Sequence, residues 1–170
     1  EVIVVDNASY DGSAELIRTR FPNARFVQSD KNLGFSKGNN LGYRHSSGDT
    51  LLFLNPDTEL LDDGVVQMFD HLHSTSSVGA VGCRMVNSDL TLQAKYVQAF
   101  PTIWNQLVTA DVLIRMFPRS TLWSIRPLND FSGGPINVDV IAGSCLMVKR
   151  HVFEKVGCFN ESFFMYAEDV

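Results

Sequence analysis

LLFLNPDTEL, residues 51–60, joins a buried-strand pattern directly to a polar turn. Leu51 to Leu54 is an apolar run of the kind shown by a strand buried on both faces. It runs straight into Asn55-Pro56-Asp57-Thr58, where Asp57 is the lone acid. Asn-Pro-Asp is ordinary turn chemistry. The carboxyl ends of strands in open α/β sheets are also where ligands sit, so on this stretch alone a plain turn and a ligand-facing turn both stand.

Working outward, strand-like and helix-like runs alternate. Val2–Val5 reads as a short strand, and Asp11-Gly12-Ser13 supplies helix-start chemistry. Ala14, Ile17 and Phe21 then fall at helical spacing before Pro22 ends the segment. Arg25–Gln28 is the next strand, residues 35–46 a helix, Leu51–Leu54 the third strand. Val65, Phe69 and Leu72 mark a helical face, and Val78–Val81 closes the series. This order predicts an α/β fold with a mostly parallel central sheet and helices on both faces.

Composition narrows the function classes. A chain of 170 residues with 45% hydrophobic and 19% charged residues can bury a real core and is not disordered. The net charge of −5 argues against a nucleic-acid surface, which needs a basic footprint. No run reaches the length of a membrane span. Cys83, Cys145 and Cys158 are far apart and lack CxxC spacing, so neither a disulfide framework nor a zinc site is expected, and a reducing, cytoplasmic setting fits. Both ends fall in apolar or aromatic sequence, which reads as truncation within a longer protein.

Candidate site residues fall in separate signals. In VVDNASYDGS, Asp6 and Asn7 lie just past a strand, where they can reach a ligand; Asp11 reads as a helix cap. In NLGFSKGNNLG, Gly34, Gly38 and Gly42 recur every fourth residue. That leaves a bare helical strip for a packed sheet or for a ligand's phosphate and ribose. Asn32, Lys37, Asn39 and Asn40 add polar groups, and the segment is neither a dinucleotide fingerprint nor a P-loop. Val138–Val148 reads as an apolar strand interrupted by Gly143-Ser144. Beyond it Phe159, Phe163, Phe164 and Tyr166 surround Glu161, Glu168 and Asp169, either as an aromatic setting for a general base or as a core edge with solvated acids.

Taken in order, VVDNASYDGS, NLGFSKGNNLG, LLFLNPDTEL and AGSCLMVKRHVFEKVGCFNESFFMYAEDV resemble the nucleotide-diphospho-sugar glycosyltransferases of family 2, in particular their rhamnosyltransferase-type bacterial branch. The resemblance spans nearly the whole chain. It implies the GT-A fold and a single, partial catalytic domain over 1–170, with a nucleotide-binding half at 1–82 and an acceptor-side half at 83–170. By the same resemblance Asn55-Pro56-Asp57 is this branch's version of an Asp-x-Asp motif. Asp57 would hold the Mg²⁺ or Mn²⁺ that bridges the donor's diphosphate, while Asn55 stands where the first acid usually is and brings no charge. Asp6, Asn7, Asn32, Gly34, Lys37, Asn40, Asn55, Gly143 and Ser144 would line the donor. Glu168-Asp169 resembles the paired acid motif whose aspartate is the base.

The implied reaction is inverting transfer from a nucleotide-diphospho-sugar, with dTDP-rhamnose as the branch's suggestion, to a saccharide or lipid-linked saccharide in cell-surface polysaccharide synthesis. A nucleotide-binding module without turnover is the alternative. A dinucleotide oxidoreductase lacks its glycine fingerprint. Residues 112–128, VLIRMFPRSTLWSIRPL, combine Arg115, Arg119 and Arg126 with apolar and aromatic residues and no acid. They read either as a peripheral contact at the inner face of the membrane or as an insertion covered by the sheet or by a partner chain in a homo-oligomer. His71 and His73, two apart on a helix, cannot chelate one ion together, and all four histidines read as structural.

Overall fold

The computed structural model describes residues 1–91, 97–98, 100, 116, 125–126 and 134–165. The strands are β1 (Ile3–Asp6), β2 (Arg25–Gln28), β3 (Thr50–Leu54), β4 (Ala80–Gly82), β5 (Val97–Gln98), β6 (Ile125–Arg126) and β7 (Cys145–Lys149). The helices are α1 (Ser13–Arg20), α2 (Gly34–Arg44), α3 (Gly64–Ser74) and α4 (Arg150–Lys155). The first four strands and first three helices lie where hydrophobic period and turn residues predict them, within a residue or two. The N-cap of α1 is Gly12; Asp11, one residue before it, turns its carboxylate onto the helix start, accepting from the Ser13 amide at 3.0 Å and the Ser13 hydroxyl at 2.6 Å.

The expected mostly parallel sheet is corrected. β1 and β2 do pair in parallel, Ile3 with Arg25 through Asp6 with Gln28. β3 and β4, however, are not neighbours: β7 lies between them, antiparallel to both. A strand from late in the chain thus takes the central place that simple succession assigns to β4. β5 and β6 form a separate antiparallel pair. The single interrupted strand expected over Val138–Val148 is corrected as well. Only Cys145–Lys149 is extended, and Gly143-Ser144 form a turn closed by the Cys145 amide on the Ala142 carbonyl at 3.4 Å.

Helices cover both faces of β3-β7-β4, and the period of two divides the side chains between them. On one face Leu51, Phe53 and Val148 pack with Phe153 of α4 and Phe159, against Phe35 and Tyr43 of α2. Phe53, Phe153 and Phe159 form a ring cluster with centroids 4.9–5.2 Å apart, and removing any one of these rings should cost about 3–5 kcal/mol. On the other face Cys145 and Met147 pack on Met68 and Leu72 of α3. β3 and β7 therefore meet the turns at their ends on a rigid two-sided core. Among the described residues no helix is long and apolar enough to cross a membrane. Apart from Met116 and β6, the segment 112–128 lies outside the described residues, as do Glu168 and Asp169.

Candidate active site

Where β1 ends, Asp6 is buried and already engaged. Its carboxylate accepts from the Ser9 amide at 2.9 Å and from the Gln28 side-chain amide at 2.8 Å. Hydrogen bonding from Ser9 above all, with Gln28 assisting, holds its pKa below the ordinary carboxylate value despite burial. The loop that turns Ser9 back onto Asp6 has positive φ at Ala8 (67°) and Tyr10 (49°), a conformation side chains resist. Asp6 is thus fixed and ionised at the carboxyl end of its strand.

Asn7 ties this end of β1 to the start of α2. Its Oδ1 accepts from the Leu33 amide at 2.7 Å, and its Nδ2 donates to Asn32 Oδ1 at 3.0 Å and to the Gly34 carbonyl at 3.2 Å. Asn32 Oδ1 also accepts from the Gly34 amide at 2.9 Å, leaving Asn32 Nδ2 without a partner among the described residues. The three glycines of α2 turn out to have different reasons. Gly34 has φ +78°, and a Cβ there would collide with the carbonyl of Phe164; the next amide, Phe35, donates to that carbonyl at 2.8 Å. A Cβ on Gly42 would press Val5 Cγ2 at 3.1 Å, a packing reason. A Cβ on Gly38 would lie 3.7 Å from Asn7 Nδ2, an ordinary van der Waals contact that the fold tolerates.

A second cluster forms at the carboxyl end of β3. The Asn55 amide donates to the Ser144 carbonyl at 3.0 Å, and the Thr58 amide closes the turn on the Asn55 carbonyl at 3.1 Å. Because Leu54 pairs with Cys145, the turns Asn55–Thr58 and Gly143-Ser144 adjoin across two strands. Asp57 is exposed, and its carboxylate has no hydrogen bond or ion pair among the described residues. Among those residues no trio of His, Cys, Asp and Glu gathers to hold an ion. A single free carboxylate on a rigid turn suits a hard cation whose other ligands are phosphate oxygens and water. Asp57 is thus a ligand of the kind that Mg²⁺ or Mn²⁺ takes.

The structure brings Asp6, Asn7, Asn32 and Gly34 together, and separately Asn55, Asp57, Gly143 and Ser144. Lys37 is exposed on α2 with no hydrogen bond or ion pair among the described residues. Asn40 is buried and bound elsewhere: its Nδ2 donates to the Phe159 carbonyl at 2.9 Å and to Glu161 Oε1 at 3.1 Å, while its Oδ1 accepts from the Phe159 amide at 3.2 Å. That bond from Asn40, with Arg44 beside it, keeps the Glu161 pKa below its ordinary value. Glu161 thus extends the contact between α2 and the segment after α4. Sequence reasoning missed Ser9 and Gln28. Gln28 has a signal only in hindsight, as the residue level with Asp6 in a parallel register.

The family model of glycosyl transferase family 2 matches residues 1–157. A low-salt glycan biosynthesis hexosyltransferase of Haloferax volcanii is 30% identical, the match covering 100% of this chain and 51% of that protein. An N-acetylglucosaminyl-diphospho-decaprenol L-rhamnosyltransferase of Mycobacterium tuberculosis is 28% identical over 99% of this chain and 58% of its own length. The chain thus spans about half the length of these curated relatives. Among solved structures, a mannosyltransferase from Pyrobaculum calidifontis in complex with GDP-Man and Mn²⁺ superposes with a TM-score of 0.60 at 19% identity, covering 95% of this chain and 38% of that one. That likeness carries the fold, an α/β architecture resembling GT-A with mixed strand directions.

Proposed function

The chain belongs to glycosyl transferase family 2, and from that premise we propose that it transfers a glycosyl group, with inversion, from a nucleotide-diphospho-sugar to a saccharide or lipid-linked acceptor. The observation that carries this reading is the junction of the Asn55–Thr58 turn with Gly143-Ser144, which leaves Asp57 free at the carboxyl end of a core strand. Asp6 and Asn7 border the nucleoside, with Asn32 Nδ2 as a free donor. Lys37 supplies positive charge for the diphosphate. Asp57 would hold a divalent cation, which when bound would offset charge on the departing nucleoside diphosphate.

Asp169, with Glu168 beside it, takes the proton from the acceptor hydroxyl. The acceptor oxygen bonds to the anomeric carbon as the bond from that carbon to the diphosphate oxygen breaks, and no covalent enzyme intermediate forms. The relatives support the finer assignment: a rhamnosyl donor and a lipid-diphosphate acceptor are named for the mycobacterial protein, and Mn²⁺ accompanies GDP-Man in the structural neighbour. Residues 112–128 would then meet the acceptor at the membrane, which liposome co-sedimentation dependent on anionic lipid and on Arg115, Arg119 and Arg126 would support.

The test is a thermal-shift panel of UDP, dTDP, GDP and CDP, each with and without Mn²⁺. Ligand that binds only the native state raises its stability. One nucleotide giving a metal-dependent shift supports the donor site; no shift with any of them counts against it. The uncharged Asn55 favours a second reading, nucleotide binding without turnover. Release of nucleoside diphosphate from the matching sugar donor in the presence of acceptor separates the two.

A further inference from the structure

The described residues hold a second chemical grouping that the transfer reaction does not use. Gly82, the last residue of β4, pairs with Leu146 of β7, so one step beyond the strand's end the same antiparallel register would bring Cys83 opposite Cys145, and the two pack in one core cluster. Directly opposed residues of an antiparallel pair have Cα atoms about 4.5 or 5.5 Å apart, and both spacings lie inside the range of about 4.4–6.8 Å that a disulfide spans. Cys145 is buried and Cys83 is half-buried, and both are free thiols packed in the core cluster beneath α3. Cys83 Sγ also donates to Met85 Sδ at 3.5 Å, which orients it within the cluster. We propose that Cys83 and Cys145 are an oxidisable pair that closes a cross-strand disulfide on exposure to a low-molecular-weight disulfide.

The chemistry divides between the two thiols. Cys83 is the one solvent reaches, and the neighbouring Cys145 thiol favours its thiolate, while the same neighbour and burial disfavour the thiolate of Cys145. The Cys83 thiolate attacks the oxidant's S–S bond, forming a mixed disulfide and releasing one thiolate. Cys145 then gives up its proton to that thiolate and attacks the Cys83 sulfur, expelling the second thiolate, which takes a proton from water. In sum the protein dithiol loses two electrons and two protons, and the oxidant is reduced to two thiols. The new bond would tie the end of β4 to β7 next to Ser144, whose carbonyl anchors Asn55. Cys158 is excluded from the pair, since it packs on the opposite face of the sheet.

The experiment treats the native protein with glutathione disulfide, blocks residual thiols with N-ethylmaleimide and maps peptides without reduction. The expected result is a linked peptide joining Cys83 to Cys145, with Cys158 alkylated and the link reversed by dithiothreitol. Cys145→Ser should trap the glutathione adduct on Cys83, and Cys158→Ser should leave the link unchanged. Alkylation of both Cys83 and Cys145 after oxidation overturns the proposal, as does an unresolved adduct on Cys83 in the unmutated protein or a link through Cys158.

Discussion

Asn40 holds Phe159 at both of its backbone polar groups, the side-chain amide donating to the carbonyl at 2.9 Å and its oxygen accepting from the amide at 3.2 Å. The two residues are 119 positions apart, so this clip joins α2 to the segment that follows α4. Replacing Asn40 by Ala strands a buried N–H and a buried C=O. The expected loss is about 2–4 kcal/mol, read by urea unfolding. Asn40→Asp should lose more, because it sets a second carboxylate against Glu161. A loss below the lower bound in Asn40→Ala would mean that water replaces the clip.

The glycines of α2 give opposite signs. Gly34→Ala forces a side chain into positive φ and onto the Phe164 carbonyl, costing about 1–3 kcal/mol for the backbone alone. Gly38→Ala meets only ordinary contact and removes a helix-interior glycine, so the fold should gain about 0.5–1 kcal/mol. If the donor packs against α2 at Gly38, that more stable variant binds nucleotide more weakly. Thermal melts with and without nucleotide measure both effects, and unchanged affinity would assign Gly38 to packing alone.

Much of this was legible in the sequence, and the boundary is physical. Strand β2 has the predicted bounds because alternation and turn residues are local signals, and Asn55–Thr58 is the turn its residues specify. The place of β7 between β3 and β4 was hidden, because an apolar run declares burial but not its neighbours. The partners of Asp6 and Asn40 were hidden for the same reason. Side-chain amides carry no periodicity, so Gln28 and Asn40 show their bonds only once distant segments are docked.

Asp6 predicts a dependence of stability on pH. Its pKa is lower folded than the ordinary value of 3.8. Its contribution is therefore whole above that value and is lost as pH falls through the lower, folded pKa. Asp6→Asn cannot make this charged interaction with Ser9 and Gln28. The variant should be less stable than the unmutated protein at neutral pH, and the gap should narrow below pH of about 4. Urea unfolding at several pH values tests this. A gap that stays constant down to acid would show that the carboxylate's charge adds nothing to its hydrogen bonds.

Asn55 and Asp57 give the last prediction, which turns on charge at a fixed backbone. The Asn55 bond to Ser144 is made by its amide, so a change of side chain leaves the turn anchored. Asp57 is exposed, so Asp57→Ala should change stability by no more than about 0.5 kcal/mol. Under the proposed function it should also abolish the metal-dependent part of nucleotide binding. Asn55→Asp restores a second carboxylate at nearly the same volume, and affinity for hard cations rises with the charge of the ligand set. That variant should therefore reach its half-maximal nucleotide-dependent shift at a lower Mn²⁺ concentration than the unmutated protein. Metal titrations of the three proteins at saturating nucleotide decide the matter. If Asn55→Asp leaves the midpoint where it was while Asp57→Ala abolishes the response, the ion is held by Asp57 and the diphosphate without help from position 55.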